Sequence, residues 1–274
     1  MDALVTGGTS GIGRAVAVAL AESGHRVTVL GRAQPALNAL AASHGILGIA
    51  IDVTDRATLA AALRGIAPDV LVNNAGIMPP LGHFCDAKIE DIDHALAVNV
   101  SAVLHLTRLI APRMRSRGTG HIFFTGSTAG HMAFANYAAY RTTKAAIAGF
   151  AQALRLDMAP HGVRVTEMVA GRVETGLYDE VLAPEVRAAM YAGNSAVQPQ
   201  DVAAMLLAIL NLPPNVDVAR FDILPTHQAT ATGAAKKNSV NAKSVSGDRR
   251  RWHGAWRFAV RNCSRTRCRR HRNY

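Results

Sequence analysis

The feature that most narrows the fold is the run Thr6-Gly7-Gly8-Thr9-Ser10-Gly11-Ile12-Gly13, set between apolar Ala3-Leu4-Val5 and a helical pattern with Ile12, Val16 and Leu20 on one face. Strand, tight glycine turn and helix in that order make the opening βα unit of a parallel sheet. Glycines at 7, 11 and 13 permit a tight turn, close backbone approach to a pyrophosphate, and close packing of helix on sheet. The helix N-terminus then offers unpaired N–H groups and the positive end of its dipole to phosphate oxygens. Gly7, Thr9, Ser10, Gly11, Ile12 and Gly13 are the expected cradle. The same spacing also fits a glycine-rich loop that binds nothing.

The βα alternation continues along the chain. Short β-type runs at Ala3–Thr6, Val27–Leu30, Leu47–Ile51, Val70–Val72, His121–Thr125, Val163–Met168 and Arg220–Ile223 are separated by helical stretches. Helices are expected at Ile12–Ser23, from Pro35 to Gly45, and at Asp91–Arg115, Thr142–Pro160 and Asp201–Leu210. This order predicts an α/β fold: a doubly wound, Rossmann-type parallel sheet of about seven strands with helices on both faces, in a single domain over residues 1–226. The most extended apolar helical stretch is read as Val202–Leu210, well short of the roughly 20 residues a membrane span needs. No signal peptide is expected, because Met1-Asp2-Ala3-Leu4-Val5 runs straight into the glycine turn. Three cysteines (Cys85, Cys263, Cys268) are too few for a disulfide framework and point to a reducing, cytoplasmic setting.

The formal charge of +11 is confined to one end. Residues 227–274 hold 13 Lys/Arg against the single acid Asp248, whereas residues 1–226 hold 17 basic and 18 acidic side chains. The tail lacks periodicity, is predicted to be disordered, and contains both tryptophans, Trp252 and Trp256. Arginines interleaved with aromatics could stack on bases, but a solvated extension explains the same composition, and nucleic acid is not the expected partner. Cys263, Cys268 and His271 lack a second ligand pair for zinc. No metal motif is visible elsewhere.

The pattern Thr-Gly-x3-Gly-Ile-Gly resembles the short-chain dehydrogenase/reductase family, and further motifs over about residues 4–175 follow in the family's order. Asp52-Val53 stands after the third strand, where the resemblance implies contact with adenine. Asn73-Asn74-Ala75-Gly76 follows the fourth strand and looks like the family's cofactor-flanking motif, with Asn73, Ala75 and Gly76 the candidate contacts. Asn99 lies in Val98-Asn99-Val100, Ser127 ends the fifth strand, and Tyr140-Arg141-Thr142-Thr143-Lys144 supplies Tyr-x3-Lys, thirteen residues beyond Ser127. Val169-Ala170-Gly171-Arg172-Val173-Glu174-Thr175 resembles the family's Pro-Gly-x-Val-x-Thr segment, which implies that Val173 and Thr175 meet nicotinamide. Ala170 replaces its proline and loosens φ there.

The end of the second strand decides between nicotinamides. NAD-preferring relatives carry an acid there for the ribose hydroxyls. This chain has Gly31 followed by Arg32, whose guanidinium can pair bidentately with a 2′-phosphate. NADP(H) is therefore expected over NAD(H), although Arg32 also fits a solvated charge and Ser10 stands where many NADP relatives carry a base.

Tyr140 and Lys144, four residues apart, share one side of a helix. A nearby ammonium favours phenolate, and lowering a tyrosine pKa by some three units takes about 4 kcal/mol. Tyr140 would act as general acid or base on a carbonyl or alcohol oxygen, with Ser127 donating to that oxygen. Asn99, as the resemblance implies, would organise a water chain from the lysine. Tyr137 is the rival, but its i+4 partner is the permanently charged Arg141. Residues 176–197 read as a substrate lid with apolar Leu177, Tyr178, Val181, Leu182, Met190 and Tyr191. A small or medium carbonyl, secondary alcohol or hydroxy acid is the expected substrate. The resemblance also implies a homodimer or homotetramer. A cofactor-binding regulator without catalysis is the alternative from another class, and it would lack Ser127, Tyr140 or Lys144.

Overall fold

The computed structural model describes residues 1–227; the basic tail and the expectations attached to it lie outside the described residues. Seven parallel strands form one sheet in the order β3-β2-β1-β4-β5-β6-β7. They are β1 (Asp2–Thr6), β2 (Arg26–Gly31), β3 (Leu47–Ala50), β4 (Val70–Asn73), β5 (Gly120–Ser127), β6 (Val163–Ala170) and β7 (Arg220–Ile223). The order reverses between β1 and β4, which opens a crevice at the carboxyl ends of the strands, where ligands of such sheets bind.

Each strand feeds its residues alternately to the two faces. Val5, Val29, Val72, Phe123 and Met168 pack against α1 (Gly11–Glu22), α2 (Gln34–His44) and α9 (Pro199–Leu210). Leu4, Leu30, Leu71, Ile122, Phe124 and Val165 pack against α3 (Arg56–Ala62), α5 (Val103–Arg117) and α7 (Ala138–Met158). Such double burial explains why these strands read as near-continuous apolar runs. Helix α2 stops at Gly45, whose φ of +66° is the left-handed cap that a glycine takes without strain.

The expected Asp91–Arg115 helix is longer and uneven. It runs as α4 (Ile89–Leu96), a π-helical segment Ala97–Ala102, and α5, so that Ile89–Arg117 spans 29 residues. By length and apolarity this helix could cross a membrane, contrary to the expectation that Val202–Leu210 was the longest such stretch. Within the fold it is a core helix, with Leu106, Ile110 and Met114 fully buried against the sheet. Helix α7 begins four residues earlier than expected, which puts Tyr140 inside its first turn. Three short helices, α3, α6 (Thr128–His131) and α8 (Pro184–Tyr191), were not anticipated.

Candidate active site

A cleft of about 500 Å³ runs along the carboxyl edge of the sheet from the glycine turn to the start of α7. At its floor, Gly7 has φ +63° and Gly11 φ +51°. A Cβ on Gly13 would lie 2.4 Å from the Gly7 carbonyl oxygen, so only glycine lets the turn close on the helix. Ser10 is the extended N-cap of α1 and makes no side-chain capping bond, which leaves the first-turn N–H groups facing the cleft. The turn is tied to the next loop by Thr6, whose buried hydroxyl accepts from the N–H groups of Asn74 and Ala75, both at 2.9 Å.

Gly7, Thr9, Ser10, Gly11, Ile12, Arg32, Asp52, Val53, Ala75, Gly76, Val173 and Thr175 all line the cleft, as do Ser127, Tyr140 and Lys144. A Cβ on Gly31 would sit 2.6 Å from Thr9 Cγ2, so a side chain there would require Thr9 to shift. No acid stands at that position, and Arg32 follows it at the rim of the cleft. Asp52 lies close enough to feel Arg32. The hydroxyl and N–H of Thr54 hold its carboxyl below the usual range, with Arg32 and His94 adding a smaller electrostatic pull.

Two expected residues sit elsewhere. Asn73 points away from the cleft and donates to Thr107 Oγ1 of α5 at 3.1 Å. Its neighbour Asn74 lines the cleft, donates to the Thr6 and Gly7 carbonyls, and accepts from the Thr125 hydroxyl at 3.2 Å. Asn99 stands in the π-helical segment, a turn type frequent at functional sites. Its amide clamps the loop after β4: the oxygen accepts from the Ile77 N–H at 2.8 Å, and the nitrogen donates to the Ile77 carbonyl at 2.9 Å and to Thr143 Oγ1 at 3.2 Å. Asn99 thereby underlies the floor at Gly76, whose Cβ position lies 3.2 Å from Asn99 Oδ1 and 3.8 Å from Lys144 Nζ.

At the reacting end, Ser127 closes β5 and caps α6 by accepting from the Ala129 N–H at 3.2 Å. Lys144 Nζ donates to the Thr125 carbonyl at 2.8 Å and lies 5.8 Å from the Tyr140 ring centre. Both Tyr140 and Lys144 are buried. Burial raises the Tyr140 phenol above its ordinary range, opposed by a hydrogen bond with Ser127. It lowers the Lys144 ammonium to about 8, opposed by the charge of Glu167. For two groups withdrawn from water, burial is the larger influence on Tyr140, with the Lys144 ammonium 5.8 Å from the ring centre.

Above Tyr140, the rings of Tyr137 and Phe134 pack with Tyr178 and Leu177 of the expected lid and with Met78. Burial also raises the Tyr178 phenol. Thr175 ties down the segment that follows it, accepting from the Leu177 N–H and, through its carbonyl, from the Tyr191 hydroxyl at 3.2 Å. The Thr175 methyl lies 3.2 Å from a Cβ position on Gly11, so the loop after β6 meets the glycine turn.

Fold and cleft define a dinucleotide-binding Rossmann domain with a Ser-Tyr-Lys centre. The short chain dehydrogenase family model matches residues 2–185, and the chain belongs to that family. It is 41% identical over 238 residues to an uncharacterized short-chain type dehydrogenase/reductase, y4eK, of Sinorhizobium fredii, covering 86% of this chain and 96% of that one. It is 32% identical over 241 residues to the NADP-dependent 3-hydroxy acid dehydrogenase YdfG of Salmonella typhi, covering 84% and 97%. The closed form of a serine dehydrogenase complexed with NADP+ superposes with a TM-score of 0.81 at 30% identity, covering 84% of this chain and 97% of that one.

Proposed function

We propose that this chain is an NADP(H)-dependent oxidoreductase that interconverts a small or medium carbonyl compound and its secondary alcohol or hydroxy acid, with Tyr140 as general acid and base. The observation that carries this reading is the convergence of Ser127, Tyr140 and Lys144 at one end of a cleft whose other end holds the glycine turn and Arg32. When bound, the nicotinamide supplies or accepts the hydride.

The chain's own groups do the rest. Open N–H groups at the start of α1 receive phosphate oxygens, and Arg32 receives the ribose phosphate. Because burial raises the Tyr140 phenol, it stays protonated near neutrality and is ready to donate to the carbonyl oxygen. Ser127 donates to the same oxygen and orients it. In the oxidising direction Tyr140 takes the proton, and its raised pKa makes that direction favour alkaline pH. The rings of Tyr137, Tyr178 and Phe134 exclude water above the reacting oxygen. The curated relative acting on 3-hydroxy acids supports a hydroxy acid or its oxo form among the first substrates to try.

Residues 1–226 are the proposed catalytic domain, with 176–197 as its lid. Exposed Ile89, Leu96 and Leu104 on α4 and α5, and Leu156 on α7, support assembly of a homo-oligomer through those helices. The low cysteine count supports a cytoplasmic setting. The test is NADPH consumption with a panel of aldehydes, ketones and 3-oxo acids. Turnover is expected with NADPH over NADH, and Tyr140→Phe is expected to lower kcat by about 10²–10⁴-fold. A Tyr140→Phe enzyme as fast as wild type would overturn the assignment.

A further inference from the structure

Strand β6 sends Val163, Val165 and Glu167 to the face covered by α7. The third position of that row should be apolar, yet Glu167 is only 2% exposed. One carboxylate oxygen accepts from His131 Nε2 at 2.9 Å, and the other has no hydrogen-bond partner among the described residues. The same carboxylate presses on β5: a Cβ on Gly126 would lie 2.4 Å from Glu167 Oε1. Gly126 stands between Thr125, whose carbonyl holds Lys144, and Ser127. Burying a carboxylate with one oxygen unpaired is costly, so a role at the site is a better account of it than packing.

We propose that Glu167 is a positioning residue of the active site, a buried counter-charge fixed behind Gly126 that keeps Lys144 an ammonium ion while Lys144 holds the Thr125 carbonyl. The charged and titratable groups around it are few. From α7 come Lys144 and Tyr140, and Arg141, whose guanidinium is committed to the Ala129 and Met132 carbonyls. From α6 comes His131. From β7 comes Arg220, 3.4 Å from His131 Nδ1 and paired with Asp222 at 2.8 Å. The charge of Glu167 opposes the lowering of the Lys144 ammonium by burial. His131 is partly exposed and links the carboxylate to the surface.

This inference rests on Lys144 belonging to the reacting centre, but its direct test needs no turnover. The chain has five lysines, so ¹³C labelling at lysine gives five ε-methylene signals, and Lys144→Met assigns one of them. Titrated from neutral to alkaline pH in the full-length protein, the Lys144 signal is expected to have its midpoint about one pH unit lower in Glu167→Gln than in wild type. Glu167→Met continues the apolar row and gives the same reading should the glutamine variant fail to fold, and Glu167→Asp, which keeps the charge, restores most of the midpoint. In turnover, the alkaline limb of kcat for carbonyl reduction shifts down by the same amount in Glu167→Gln. A Lys144 midpoint unchanged in both Glu167→Gln and Glu167→Met would overturn the proposal. So would activity lowered equally at every pH. A protein with no turnover that still shows the midpoint shift would instead defeat the functional reading and leave this coupling standing.

Discussion

Lys144 is held in the fold at a cost that can be measured by removing its charge. Burial lowers its ammonium from 10.5 to about 8, and a shift of roughly 2.5 units corresponds to about 3 kcal/mol against the charged form. Lys144→Met keeps a chain of similar length and removes that term. It also leaves the Thr125 carbonyl without its 2.8 Å donor, which subtracts about 1–2 kcal/mol. The variant should therefore be about 1–2 kcal/mol more stable than wild type near neutral pH, a rise in Tm of about 4 °C for a domain of this size. It should also be catalytically dead. The pH dependence has a fixed sign. Below about pH 8 the lysine is protonated in both folded and unfolded chains, so the full penalty is present. Between about 8 and 10.5 the folded chain releases a proton that the unfolded chain keeps, and wild type gains stability as pH rises. Above that range only the orphaned carbonyl distinguishes the two, and the variant becomes the weaker protein. Thermal melts of both, followed by circular dichroism from neutral pH to about pH 10, read this directly. A Tm difference that stays constant across the series would refute the claim that Lys144 is charged and desolvated in the folded state.

Arg32→Ala should raise KM for NADPH by about 10–100-fold, the worth of a charged bidentate contact, and leave KM for NADH nearly unchanged; equal losses with both cofactors would remove Arg32 from the phosphate site. Gly13→Ala should cost about 1–3 kcal/mol of stability, seen as a lower Tm, because its Cβ meets the backbone oxygen of Gly7 at 2.4 Å. Burial lowers His121 to about 3, so the unfolded chain takes up a proton near its ordinary value of 6.5 that the folded chain refuses. Stability is therefore lost as pH falls from about 6.5 towards 3, by up to about 5 kcal/mol, and His121→Phe should move the acid-unfolding midpoint to lower pH. Deleting residues 227–274 should leave turnover intact, because the cleft is built within residues 7–180; loss of activity would show that the tail completes the site.

What could be read in advance follows from which signals are local. The glycine turn and the Tyr140–Lys144 pair are written in spacing, and spacing survives folding. Period-two alternation would also have separated Asn73 from Asn74, since Leu71 and Asn73 share the face turned to α5 while Asn74 begins the loop that floors the cleft. A motif matched as a block does not say which of two adjacent asparagines faces inward. The short helix α3 shows one fully buried residue, Leu59, too little periodicity to register. The π-helical segment at Ala97–Ala102 hides for a related reason, because its extra residue breaks the 3.6-residue register that would have revealed one continuous helix from Ile89 to Arg117. The direction in which burial pushes Tyr140 is not legible in spacing. Spacing places an ammonium near a phenol, but the sign of the shift depends on how much water both groups lose, and that is set by Met78, Ala129, Leu177 and Tyr178, on elements other than α7. Glu167 combines both kinds of signal. A carboxylate where the Val163–Val165 row calls for an apolar residue is visible in the sequence, whereas its partner His131 stands 36 positions away on a helix too short to predict. A charged residue that breaks a buried row is thus a reason to look for a partner, and only the fold says that this one lies behind the strand whose Thr125 carbonyl holds Lys144.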